Sequence, residues 1–110
     1  MLAAAIALAL PPAVLAETGN ELQTLCANAE VHDGSFNSGM CLGYVVGVVE
    51  MHKTATEVLH AKGMFCMPSG VTHGQATLVV KKYLGAHPEK LHFAASSLVP
   101  VALQEAFPCE

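Results

Sequence analysis

Arginine and tryptophan are absent from this 110-residue chain, five lysines carry all of its fixed positive charge, and only 5% of it is aromatic. Without a basic patch or a row of stacking rings there is no electrostatic footprint for a nucleic acid. Strand-like alternation is missing too. Val45-Val46, Val48-Val49 and Val79-Val80 are short β-branched pairs inside stretches that already keep a helical period. Catalytic signatures are equally scarce, with no G-x-S-x-G, no glycine-rich phosphate loop and no legible pairing of nucleophile and base. Six histidines are present, yet none forms an H-x-x-x-H pair, and His87 and His92 would turn away from each other on a helix. No C-x-x-C occurs either, so no metal, no cofactor and no catalysis is expected. Met64, Cys66 and Met67 form the one soft cluster. Methionine there is expected to pack or to face a partner rather than to bind Cu(I). Glu50 and Glu57, on one helix face, read as a solvated stripe.

What the chain does have is four cysteines, Cys26, Cys41, Cys66 and Cys109, behind an apolar N-terminal run. Residues 1–10 are all Met, Leu, Ala or Ile; Pro11-Pro12 follow, and Val14 and Ala16 set small residues where a signal peptidase cuts. The run is too short to span a bilayer. Residues 1–16 are therefore expected to be a cleaved secretory signal, with no stable membrane insertion afterwards, and residues 17–110 a single domain. A small exported domain with four cysteines reads as a disulfide framework. Three pairings are open, and the sequence does not choose among them. The one expected is Cys26–Cys41 with Cys66–Cys109, which would staple the first helix to the second and tie an apolar segment to the chain end. Loop closure makes these worth about 3 and about 4 kcal/mol, which matters in so small a core.

Four helical patterns fill the domain, and the expected fold is all-α, a small disulfide-linked four-helix domain of orthogonal or bundle-like type. Thr18-Gly-Asn-Glu21 fits a capping box, after which Leu22, Leu25, Cys26 and Ala29 share a stripe. Residues 32–38 collect turn formers and should be a loop. A second helix is expected over residues 39–62, with Cys41, Tyr44, Val45, Val48, Met51, Ala55, Val58 and Leu59 near a 3.6 period and Gly63 as its stop. Gly39, Gly43 and Gly47 recur on one side of it. Each costs a helix about 1 kcal/mol relative to Ala, so a packing reason is expected: another helix of the same monomer first, a dimer seam second. Pro68 and Gly70 make residues 64–71 a loop bearing bulky apolar side chains. Thr72-His-Gly-Gln75 offers a second capping box, followed by the stripe Ala76, Val79, Val80, Tyr83 and Leu84. A fourth helix should begin with Pro88 in its first turn and carry Leu91, Ala94, Ala95, Leu98, Ala102, Leu103 and Ala106, kinked at Pro100.

Cys41-Leu-Gly-Tyr-Val-Val-Gly-Val-Val-Glu50, Cys66-Met-Pro68, Tyr83-Leu-Gly-Ala-His-Pro-Glu-Lys-Leu91 and Leu98-Val-Pro-Val-Ala-Leu-Gln-Glu-Ala-Phe-Pro-Cys109, taken in order, resemble the Rap/Tai immunity proteins of bacterial type VI secretion. The resemblance covers essentially all of residues 17–110. It implies a periplasmic, all-helical, usually dimeric inhibitor that binds a peptidoglycan amidase and so prevents wall lysis. In the relatives a loop enters the amidase cleft. By analogy, residues 62–73 would be that loop here, with Met64, Phe65 and Met67 as apolar anchors; the alternative is that Phe65 and Met67 fill the monomer core.

A small helical disulfide-linked chaperone or stress protein of the periplasm is the competing reading. Six unperturbed histidines would titrate at about pH 6 to 7 and could expose apolar surface in acid.

Overall fold

The computed structural model of the protein describes residues 17–29 and 34–110; the leader expected over residues 1–16 lies outside them. Four α-helices follow in order among the described residues: α1 (Gly19–Leu25), α2 (Phe36–Glu57), α3 (His73–Ala86) and α4 (Ala95–Ala106), with a 3-10 turn at Pro88–Lys90 ahead of α4. None of these helices is long and apolar enough to cross a membrane.

α1 starts at the capping box. The Glu21 N–H donates to Thr18 Oγ1 at 3.3 Å and the Thr18 N–H to Glu21 Oε2 at 3.1 Å, which satisfies two backbone donors that a helix start otherwise leaves without partners. α3 makes the hydroxyl half of its box, with Thr72 Oγ1 accepting from the Gln75 N–H at 3.0 Å. α2 differs from the sequence expectation at both ends. It begins at Phe36 rather than Gly39, because Ser35 Oγ accepts from the Ser38 N–H at 3.2 Å and caps it there. It ends at Glu57, short of Lys62, and Gly63 is not the stop. His60 takes a left-handed conformation, φ +57°, and the Ala61 N–H reaches back to the Ala55 carbonyl at 2.9 Å, the closure that ends helices on such a residue.

The fourth helix is also shorter than the sequence suggests, starting at Ala95 and not in the turn at Pro88. Its missing first turns are pulled into pairing with the start of the domain. Gly19 N–H donates to the Phe93 carbonyl at 2.9 Å, Asn20 N–H to the Leu91 carbonyl at 2.9 Å, and Ala95 N–H to the Glu17 carbonyl at 2.7 Å. Those bonds replace the intrahelical ones that residues 91–95 would have made. α4 then runs through Pro100 to Ala106.

The core gathers Leu22 and Cys26 of α1, Cys41 and Val45 of α2, Phe65 of the following segment, Ala76, Val80, Tyr83 and Leu84 of α3, then Leu91, Ala95, Leu98, Val99, Ala102 and Leu103. The disulfides are Cys26–Cys41 and Cys66–Cys109, with Cα atoms 5.0 and 4.9 Å apart. The first lies wholly inside the core, the second at the surface. Gly19 is the glycine that packing demands: a methyl added there would sit 3.0 Å from the Leu91 backbone and 2.5 Å from Leu98 Cδ1. The expected monomer contact at Gly39, Gly43 and Gly47 is not made. An added Cβ at any of them meets nothing within 4 Å, because the core lies against the opposite side of α2, at Cys41 and Val45.

Candidate functional site: an apolar groove along the second helix

α2 has apolar residues on two faces, and only one of them is used by the core. Cys41 and Val45 point inward, while Phe36, Met40, Leu42 and Met51 are exposed, Phe36 at 76% and Met51 at 58%. Burying apolar surface is the main favourable term in folding, so a helix that leaves this much of it in water has another use for it.

After α2 ends, the chain doubles back along it. The left-handed turn at His60 sets the direction, and Gly63 passes within 3.8 Å of His52 and 3.7 Å of Thr56, measured from an ideal Cβ position. The Met64 N–H then donates to His52 Nε2 at 3.0 Å, and the Phe65 ring stacks on the same imidazole, centroids 3.8 Å apart and 18° between planes. That bond requires His52 Nε2 to carry a lone pair, so the proton of the neutral ring sits on Nδ1. One residue later the Cys66 N–H donates to the Phe107 carbonyl at 2.8 Å and the side chain joins Cys109. Four contacts therefore fasten residues 64–66, two on His52 of α2 and two on the chain end at Phe107 and Cys109.

Between the two runs of chain lies a groove of about 620 Å³. Its walls are Tyr44, Gly47, Val48, Met51, His52, Ala55 and Thr56 from α2, Ala61, Lys62, Met64 and Phe65 from the returning segment, and Pro100 of α4 at one end. The volume is in the range of ligand-sized sites, about 300–1,000 Å³. Two of its polar side chains face the protein: Thr56 Oγ1 donates to the Lys53 carbonyl at 3.1 Å, and the Tyr44 hydroxyl lies near Ser96. Burial pushes the Tyr44 phenol above its ordinary value, against the lowering effect of the nearby Ser96, so the ring adds no charge at neutral pH. Lys62 is the one charged residue on the wall.

The three proposed anchors are placed differently from one another. Met64 is 45% exposed and stands on the groove edge; Phe65 is 3% exposed and forms part of the core beneath it; Met67 is half-buried against the core. They do not form a projecting cluster. The α2 residues Val48, Met51 and His52 were not singled out by the sequence as partner-facing, although a signal existed: Phe36, Met40, Gly43, Gly47 and Met51 follow a second helical stripe, out of phase with Cys41 and Val45. Cys66, held in a disulfide, has no thiolate for a soft metal, and no group of three His, Cys, Asp or Glu is assembled among the described residues. A smaller hollow of about 270 Å³ lies between α3 and α4 and is lined partly by Lys82, His87 and Glu105.

Residues 18–109 match the family model of the Rap1a immunity proteins. No curated protein and no solved structure matches the chain.

Proposed function

We propose, because the chain belongs to the Rap1a immunity protein family, that it inhibits a type VI secreted peptidoglycan amidase in the periplasm and binds it through the groove and the 61–66 segment. Immunity proteins act by binding a protein effector, not by catalysis. The observation that carries this reading is the apolar groove itself, with Met64 and Met51 exposed on its edge in a chain that has core enough without them. A surface of that kind suits a protein partner. Its fastening by His52, Phe65 and the Cys66–Cys109 bridge also suits an inhibitor, since a segment already ordered loses little entropy on binding. In this reading Met64 touches the amidase, while Phe65 and Met67 act from beneath by keeping the segment in shape.

Periplasmic action is supported by the expected leader and by two disulfides, which persist in oxidising compartments. A homodimer is the proposed state, with the Phe36 and Met40 end of α2 and the open Gly39 and Gly43 surface as its seam, since small residues let helices approach closely. The test is protection. Exported to the periplasm, the protein should keep cells intact when the amidase encoded beside its gene is expressed there, and a cytosolic version without residues 1–16 should not. Lysis at the same rate with and without the exported protein would refute the assignment to that amidase.

A further inference from the structure

The groove's chemistry says what kind of group it can accept, provided that it faces the effector as proposed above. Its wall is mostly apolar, and two of its polar atoms are already engaged: Thr56 Oγ1 donates to the Lys53 carbonyl and His52 Nε2 accepts from the Met64 N–H. On the α2 side the wall's backbone N–H and C=O groups are paired within the helix, so an extended strand laid against it would leave its own peptide groups without partners there, which is costly. A helix or the tip of a tight loop satisfies its own backbone and can insert one side chain. Gly47 leaves room for it, because nothing lies within 4 Å of where its Cβ would be, so a ring can come close to the α2 backbone. At the edge, Lys62 is exposed, and no carboxylate among the described residues pairs with it. We propose that the groove receives a large apolar side chain of the effector, carried on a helix or loop tip with an acidic residue next to it that meets Lys62.

The experiment has two arms. In the first, 4-phenylbutyrate, 4-phenylbutanol and 4-phenylbutylamine are titrated into the oxidised protein and followed by NMR at the Gly47 amide and the Met51 and Met64 methyls. The acid should bind about threefold more tightly than the amine, as expected of one exposed ion pair. K62E should reverse that order, and G47L should abolish binding of all three. Shifts centred elsewhere, or no difference between acid and amine, would overturn the proposal. In the second arm the catalytically inactivated amidase encoded beside the gene is titrated into wild type, K62E and G47L. G47L should lose about tenfold or more in affinity, the size of effect an interface hot spot gives, and K62E about threefold, with melting temperatures not lowered.

If the fragments follow the expected order but the amidase does not bind wild type, the choice of amidase falls and the groove chemistry stands. If the amidase binds wild type and both variants equally, the groove proposal falls and the inhibitor reading stands. If G47L converts a dimer of the protein alone into monomers, the groove belongs to a second copy and the proposal is overturned.

Discussion

Gly19 and Gly47 are both helical glycines, yet their surroundings are opposite. Gly19 lies where α1 crosses residues 91–95, with Leu91 and Leu98 against it, whereas Gly47 looks into open space on the outer side of α2. The two disulfides divide the same way. Cys26–Cys41 is sealed in the core near α1, and Cys66–Cys109 lies at the surface and fastens the segment that borders the groove. One side of the molecule spends its apolar surface on folding; the other keeps a rigid apolar surface for something else. Glycine spacing alone cannot separate these cases, since close packing and an open seam both tolerate a missing Cβ.

The largest effect should come from the sealed side. Replacing Cys26 and Cys41 together by Ser removes about 3 kcal/mol of loop-closure stabilisation and buries two hydroxyls at a further cost of about 1–3 kcal/mol each if they find no partner. Net stabilities are about 5–15 kcal/mol, so this variant should show little or no cooperative melt by circular dichroism. Retention of a wild-type melt would mean that the α1 side is not what holds the fold together. Phe65→Ala probes the boundary between the sides. The ring is buried and stacked on His52, so its loss should cost about 3 kcal/mol or more in urea unfolding and should also weaken effector binding by loosening Met64. Normal stability with lost binding would move Phe65 from the supporting layer to the contact surface.

Gly19→Ala comes next. Its methyl would meet Leu91 backbone at 3.0 Å, and the strain should cost about 1–3 kcal/mol. Gly43→Ala should do the reverse in the monomer and stabilise it by about 1 kcal/mol, because the helix gains propensity and the methyl meets nothing. If two copies pack over that surface, the same substitution should weaken their association, which sedimentation at several concentrations would show. A destabilised monomer would reinstate the internal helix contact expected from the glycine spacing.

The sequence made the helices legible where side chains act locally. The Thr18 and Thr72 caps and the α3 stripe could be read from spacing because each depends on neighbours a few residues apart; the disulfide pairing could not, and the one formed, Cys26–Cys41 with Cys66–Cys109, is the expected one of three open pairings. The ends of α2 and α4 could not. Backbone groups of Leu91, Phe93 and Ala95 bond with Glu17, Gly19 and Asn20, a partnership far away along the chain, and the turn that follows α2 is made by His60 in a conformation that glycine usually supplies. For the site, Met64 was legible as an exposed apolar residue near Pro68 and Gly70. Phe65 and Met67 were left open between contact surface and core, because adjacent apolar residues look alike until the backbone fixes which of them faces inward. The groove was hidden for a related reason: it exists only because the chain reverses after His60 and runs back along α2.

The division between the two sides is tested most directly by hydrogen–deuterium exchange on the protein with and without the inactivated amidase. Binding should slow exchange in residues 61–66 and in the α2 residues that face them, and leave the α3–α4 hollow at Lys82, His87 and Glu105 unchanged. A stable complex that protects the hollow, or that leaves residues 61–66 exchanging as in the free protein, would contradict the account.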